Sequence, residues 1–205
     1  MTIQLFNAGK RFNRDWIFRK VNASFESGKA YAITGPNGSG KSTLLQVIAA
    51  NMQANEGTVE WMENTTPINE NDVFQHISVC APYLEVVEEM TATEFLYFHA
   101  SFKSLLPQVS IKQVIEIIGL RKAADKQIRY YSSGMKQRIK LAQAIFSDVP
   151  LLLLDEPCTN LDITGFDLYH HLIETYCRHK LIVVSSNDIN EYDFCTEKLS
   201  ILDYK

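Results

Sequence analysis

No stretch of this 205-residue sequence is apolar for long enough to cross a bilayer as a helix. Any membrane role must therefore come through a partner. Cysteine is sparse. Cys80, Cys158, Cys177 and Cys195 are the four, and no two lie at a close metal-binding spacing. Met1-Thr2-Ile3-Gln4 leads straight into strand-like sequence, unlike a signal peptide. The cysteines read as free thiols in a reducing compartment. Cationic excess is missing too: 20 Lys and Arg stand against 24 Asp and Glu, a net charge of −4. That balance gives no electrostatic case for wrapping nucleic acid. Internal repeats, low-complexity tracts and flexible linkers are absent. What remains is 46% hydrophobic and 21% charged, ordinary for a globular protein of one or two domains.

The chain is organised around Gly35-Pro36-Asn37-Gly38-Ser39-Gly40-Lys41-Ser42. This fits G-x-x-x-x-G-K-[ST], the phosphate-binding loop of nucleotide hydrolases. Ala30 to Thr34 before it reads as a short buried strand, and Thr43 to Ala50 after it as a helix. The glycines let successive amides turn inward, and the helix start adds free N–H groups and the positive end of its dipole. Lys41 is expected to reach the β and γ phosphates, and the Ser42 hydroxyl to bind Mg²⁺.

Around this loop the sequence reads as α/β. Residues 2–8 suggest an edge strand, and 21–26 alternate as a half-exposed strand. Gly57 to Trp61 and His76 to Ala81 give two more. Residues 91–129 change character. Thr91 can cap a helix with Glu94 three positions on. Ser110 begins a second amphipathic stretch that turns Ile111, Val114, Ile115 and Ile118 inward and stops at Gly119. A helix is expected over 134–146 and another over 164–178. Leu151 to Leu154 and Leu181 to Ser185 read as buried parallel strands, and 199–203 as a late strand. The reading is one cassette over 1–205. A mixed β and α/β core lobe spans 1–90 and 147–205, and a helical subdomain is inserted over 91–146.

Asp155 and Glu156 follow the four-leucine strand. An acidic pair there can serve a nucleotide on the phosphate loop. Asp155 would hold Mg²⁺ through water, and Glu156 would position or deprotonate the attacking water.

With these residues the sequence resembles the nucleotide-binding subunit of ABC ATPases over nearly its whole length. Tyr131-Ser132-Ser133-Gly134-Met135, followed by Lys136-Gln137-Arg138, is similar to the family's signature segment, usually Leu-Ser-Gly-Gly-Gln. Leu151 to Pro157 resembles the Walker B strand with its catalytic glutamate, and Asn160-Leu161-Asp162 the D-loop. Phe12, 29 residues before Lys41, lies where the family carries its adenine-stacking aromatic, with Trp16 a close rival. The resemblance implies a P-loop hydrolase core with an antiparallel β layer and an inserted helical subdomain. It also implies two subunits head to tail around two ATP molecules, as a homodimer or with a related chain. Each ATP would meet Ser132, Ser133 and Gly134 of the opposite subunit.

By the same resemblance, the nucleotide-contacting set is Phe12 or Trp16, Gly35 to Thr43, and Ser132 to Gly134. Mg²⁺ falls to Ser42 and Asp155, and catalysis to Glu156, Lys41 and Asn187. Two departures stand out. Where the family has a glutamine after the strand ending near residue 81, this chain has Ala81-Pro82-Tyr83, and neither Pro82 nor Tyr83 coordinates a metal as glutamine does. Asn187 replaces a histidine and carries no positive charge. Slow or partner-dependent hydrolysis is therefore expected.

The function implied is the ATP-driven motor of a membrane transporter of a small exporter-like type. It would be cytoplasmic, peripheral on the inner face of the cell membrane through a polytopic permease, without nucleic acid and without inserting in the membrane itself. The alternatives are a soluble ABC ATPase in nucleic-acid processing, or a regulatory subunit that binds ATP with little hydrolysis.

Overall fold

Alternating side chains near the start of the chain build a long antiparallel hairpin. The computed structural model describes residues 1–205, and its strands and helices run in the following order. First come β1 (Thr2–Phe12), β2 (Asp15–Glu26), β3 (Ala30–Thr34) and α1 (Lys41–Ile48). Next are β4 (Glu56–Glu63), β5 (Thr66–Ile68), β6 (Ile77–Cys80), α2 (Ala92–Phe102), α3 (Ile111–Ile117) and α4 (Ser133–Ile145). Last are β7 (Leu151–Asp155), α5 (Ile163–Tyr176), β8 (Leu181–Ser185) and β9 (Glu197–Ser200).

The chain divides into two compact units. The first comprises Met1–Ile77, Val149–Glu156 and His179–Lys205, and the second Ser78–Asp148 and Pro157–Arg178.

In the first unit β1 pairs with β2 and β4, and β5 adds to β4, all antiparallel. Asn13 turns the hairpin at φ 54, a left-handed conformation that asparagine tolerates better than most residues. Ile3 stands opposite Phe25 and Leu5 opposite Ala23, and Ile3, Leu5 and Phe25 are buried. Beside this layer four parallel strands stand in the order β7-β8-β3-β9. Every residue of β7 and β8 is buried, which is why both read as unbroken apolar runs without alternation. Helix α1 packs on β7 and β8. Thr34, Asp155 and Ser185 stand at the carboxyl ends of these strands, the end at which open parallel sheets bind ligands.

In the second unit α2 packs against α3 and α4, and α4 against α5. Leu96, Val114, Ile118, Ile139, Leu141, Tyr169 and Leu172 form its core. The capping boxes are present at both helix starts: Thr91 with Glu94, and Ser110 with Gln113. Phe146 and Tyr176 meet ring to ring at 4.7 Å. His99 Nε2 lies 2.8 Å from the Ser147 hydroxyl, which donates to the Gln143 carbonyl. Burial, with Lys103 nearby, pushes the His99 ring down to about 4.

Four local expectations change. The strand expected at an edge over residues 2–8 is internal, because β1 pairs with β2 on one side and β4 on the other. The late strand ends at Ser200, and Ile201–Tyr204 winds into a 3₁₀ turn that buries Ile201. The first two strands run on to Phe12 and back to Asp15, because the hairpin pairs through its bulges up to its turn. The short strand β5 was not foreseen. Its Pro67 lacks an N–H and sits on the outermost strand of its sheet, where no ladder bond is needed on the open side.

Candidate functional site

Strand β3 delivers the chain into the loop Gly35–Gly40, and α1 starts directly after it. Gly40 takes φ 99 as the residue before the helix, and a Cβ there would run into the Ile17 side chain. Only glycine fits both demands. No side chain caps α1, and the Leu44 N–H donates to the Gly40 carbonyl at 3.0 Å. The N–H groups at the start of the helix are thus left facing the loop, a ready anion site. Lys41 is buried, and its ammonium donates to the loop's own carbonyls at Gly35 (3.0 Å) and Pro36 (3.3 Å). Ser42 is exposed and Thr43 half-buried. Pro36, Asn37 and Gly38 form the exposed crown, and Ser39 is buried beneath it.

The neighbouring strand ends add acidic and polar groups. Asp155 is 2% exposed, and its Oδ1 has no hydrogen-bond partner. Glu156 follows at φ 43 and donates its N–H to the Ser185 carbonyl at 2.9 Å. A non-glycine residue held in that region stores local strain, a feature that gathers at functional sites. Asn187 is exposed, and its amide donates to Asn37 Oδ1 at 3.1 Å, so it stands against the phosphate loop. Mg²⁺ is a hard cation that takes oxygen ligands. An unpartnered buried carboxylate oxygen at Asp155, with the Ser42 hydroxyl at the head of α1, fits that requirement.

The two aromatic candidates differ. Trp16 is half-buried and already engaged, with the Arg19 guanidinium 4.2 Å and the Arg11 guanidinium 5.5 Å from its ring centre. Phe12 is 46% exposed beside the hairpin turn, with the Lys10 ammonium 5.7 Å from its ring centre. Phe12 is the freer face for a base.

In the second unit Ser132 caps α4, its hydroxyl accepting from the Met135 N–H at 3.3 Å. Ser132 and Ser133 are exposed. A Cβ on Gly134 would lie 3.1 Å from the Asn160 carbonyl, so this position favours a residue without one. Ser132, Gly134, Asn160 and Asp162 line one cleft of about 500 Å³. Pro82 is exposed, and its carbonyl accepts from Lys140 at 3.2 Å. Gln137 is buried and donates to the Pro157 carbonyl at 2.6 Å.

The order of these segments decides the family. The family model described as ABC transporter matches residues 18–159. The chain belongs to the ABC transporter family. This ABC chain is 33% identical over 151 residues to the cytochrome c biogenesis ATP-binding export protein CcmA of Xylella fastidiosa, covering 73% of this chain and 69% of that protein. It is 30% identical over 184 residues to ABC transporter A family member 11 of Dictyostelium discoideum, covering 87% of this chain and 22% of that protein. Several other curated relatives are matched over about two thirds of their length. A solved dimeric bacterial ABC transporter cassette superposes with a TM-score of 0.80 at 23% identity, covering 97% of this chain and 93% of that one. The fold is that of an ABC ATPase cassette, and the expected fold class is borne out.

Three residues at or near these segments were not anticipated. Lys205 donates to the carbonyls of Ser39 (2.6 Å) and Ile17 (2.8 Å), bracing the ABC phosphate loop. A lysine 164 positions from Lys41 carries no sequence signal for that. Gln137 was named only as part of the signature segment. A glutamine on the apolar face of an amphipathic helix is the signal that marks it. Ser185 is the third, and the hydroxyl that closes an otherwise apolar strand is its signal.

Proposed function

We propose that this ABC cassette binds and hydrolyses ATP as the motor subunit of a membrane transporter, coupling closure of a cassette dimer to transport. The observation that carries this reading is the meeting of an uncapped helix start with an unpartnered Asp155 oxygen and a strained Glu156 in one unit. Of Gly35 to Thr43, every residue but Pro36, which has no N–H, can offer a backbone N–H to the phosphates, and Lys41 exchanges the loop carbonyls for phosphate oxygens. Ser42 and Asp155 hold Mg²⁺, which neutralises charge on the phosphates. Glu156 orients the attacking water and accepts its proton. Asn187 hydrogen-bonds near the γ phosphate without adding charge. Phe12 stacks on the base. Ser132, Ser133 and Gly134 complete the partner subunit's site, and residues 91–146 pass the movement from the core lobe, 1–90 and 147–205, to a polytopic permease. The cassette then sits at the cytoplasmic face of the membrane. The name of the Xylella relative and the dimeric form of the matched cassette support this reading.

A second reading, an ATP-binding regulatory subunit with little hydrolysis, is favoured by Pro82 and Asn187, which stand where a metal-contacting glutamine and a histidine would serve turnover. Two measurements test the proposal. Calorimetry should show Mg-ATP binding that weakens by roughly 10- to 100-fold in Lys41→Ala, as expected for losing charge-assisted bonds. Unchanged affinity would remove the phosphate-loop assignment. Tagged chain recovered from gently solubilised membranes should bring a stoichiometric polytopic protein with it. Recovery with a nucleic-acid-processing partner alone would refute the transporter reading.

A further inference from the structure

Three buried side-chain oxygens lack a hydrogen-bond partner: Ser39 Oγ in the phosphate loop, Asp155 Oδ1 and Ser185 Oγ. The last two are neighbours by register. Asp155 ends β7, Ser185 ends β8, and the two pair directly across the parallel ladder. Paired residues in register project to the same face of a sheet. Ser185 is wholly buried, and the rest of its strand, Leu181 to Val184, is apolar. Its carbonyl also accepts the Glu156 N–H. One residue therefore touches the backbone of Glu156 and sits in register with Asp155.

An unpaired buried hydroxyl or carboxylate oxygen is costly, and native proteins satisfy such groups with ordered water or a ligand. Two such groups on adjacent strand ends, with no hydrogen bond between them, suit one bridging water.

We propose that Ser185 is a positioning residue of the metal site: its hydroxyl and Asp155 Oδ1 share a water of the divalent cation's hydration shell. This rests on the Mg-ATP reading of the site. Ser185 supplies a polar group from the strand beside Asp155. A water held between the two orients the Asp155 carboxylate. Outer-shell partners of this kind change metal affinity by about 10- to 100-fold when removed.

The test uses Mn²⁺ as the probe, read by electron paramagnetic resonance in the presence of a non-hydrolysable ATP analogue. Ser185→Ala should weaken Mn²⁺ binding about tenfold, and Ser185→Thr, which keeps the hydroxyl, should restore it. Affinity for a fluorescent form of that analogue in excess chelator should be the same in all three chains. Mn²⁺ affinity unchanged in Ser185→Ala would overturn the inference. So would an equal loss of metal-free nucleotide binding, because the hydroxyl would then be shaping the loop. A parent chain that binds the analogue in chelator but gains no Mn²⁺ overturns the metal role alone. A parent that binds no analogue at all overturns the Mg-ATP reading with it.

Discussion

The start of α1 and the starts of α2 to α5 are built on opposite terms. Thr91, Ser110, Ser132 and Asp162 each turn a side-chain oxygen onto the first turn of the helix that follows. Gly40 offers no side chain to α1. The second unit therefore satisfies its helix starts from within, and the first leaves donors open at the phosphate loop. The same contrast holds for side chains. The three unpartnered buried oxygens, Ser39, Asp155 and Ser185, all lie in the first unit. Where the chain is proposed to receive a polyanion and a cation, it forgoes internal hydrogen bonds. Where it must hold helices together, it completes them.

The largest expected break of that comparison is chemical. Glu156→Gln should lower ATP turnover by about 10²- to 10⁴-fold, the range for removing a general base, while leaving the melting temperature close to the parent's. Turnover is read by phosphate release, and a Glu156→Gln chain as fast as the parent would remove Glu156 from the reaction. The counterpart in the second unit is Leu96→Ala. Leu96 is fully buried, so the change should destabilise folding by roughly 2–5 kcal/mol in urea titration. Metal-free nucleotide affinity should change little in whatever fraction stays folded.

A smaller effect sharpens the capping argument. Thr91→Ala removes a complete capping box, with an expected loss of about 1 kcal/mol. A loss below roughly 0.3 kcal/mol would show that packing alone holds α2. The last effect is one of pH. His99 sits at about 4, below its ordinary value, because burial disfavours the charged ring. The unfolded chain then takes up its proton first as pH falls. The contribution of neutral His99 is fully present above about pH 6.5 and is lost as pH drops from there toward 4. The melting temperature of the parent should fall more over that window than that of His99→Gln, and equal slopes would refute it.

Much of this was legible in the sequence because its signals are local. The phosphate loop is eight consecutive residues whose spacing dictates a turn and a helix start. Thr91 with Glu94 and Ser110 with Gln113 announce helices within four positions. Leu151 to Leu154 announces a buried strand by composition. The tail was harder. Leu199 to Asp203 has the apolar content of a strand, yet Ile201 leaves the ladder for a 3₁₀ turn, where its side chain lies close under Gly35. The rivalry of Phe12 and Trp16 could not be resolved from spacing, since both precede Lys41 by similar lengths. The tertiary structure distinguishes the two by the arginines that cover Trp16.

The sequence by itself determined the family, a glycine-rich loop of the phosphate-binding pattern, the acidic pair at 155 and 156, and the positions of the main helices. Each rests on residues adjacent in the chain or one helical turn apart. Only the tertiary structure decided that Asp155 and Ser185 stand in register with unpartnered oxygens, that Asn187 reaches Asn37, and that Lys205 braces the loop carbonyls. Those pairs are 30, 150 and 166 positions apart. The pairing of parallel strands brings them together, and no local propensity encodes which strand lies beside which.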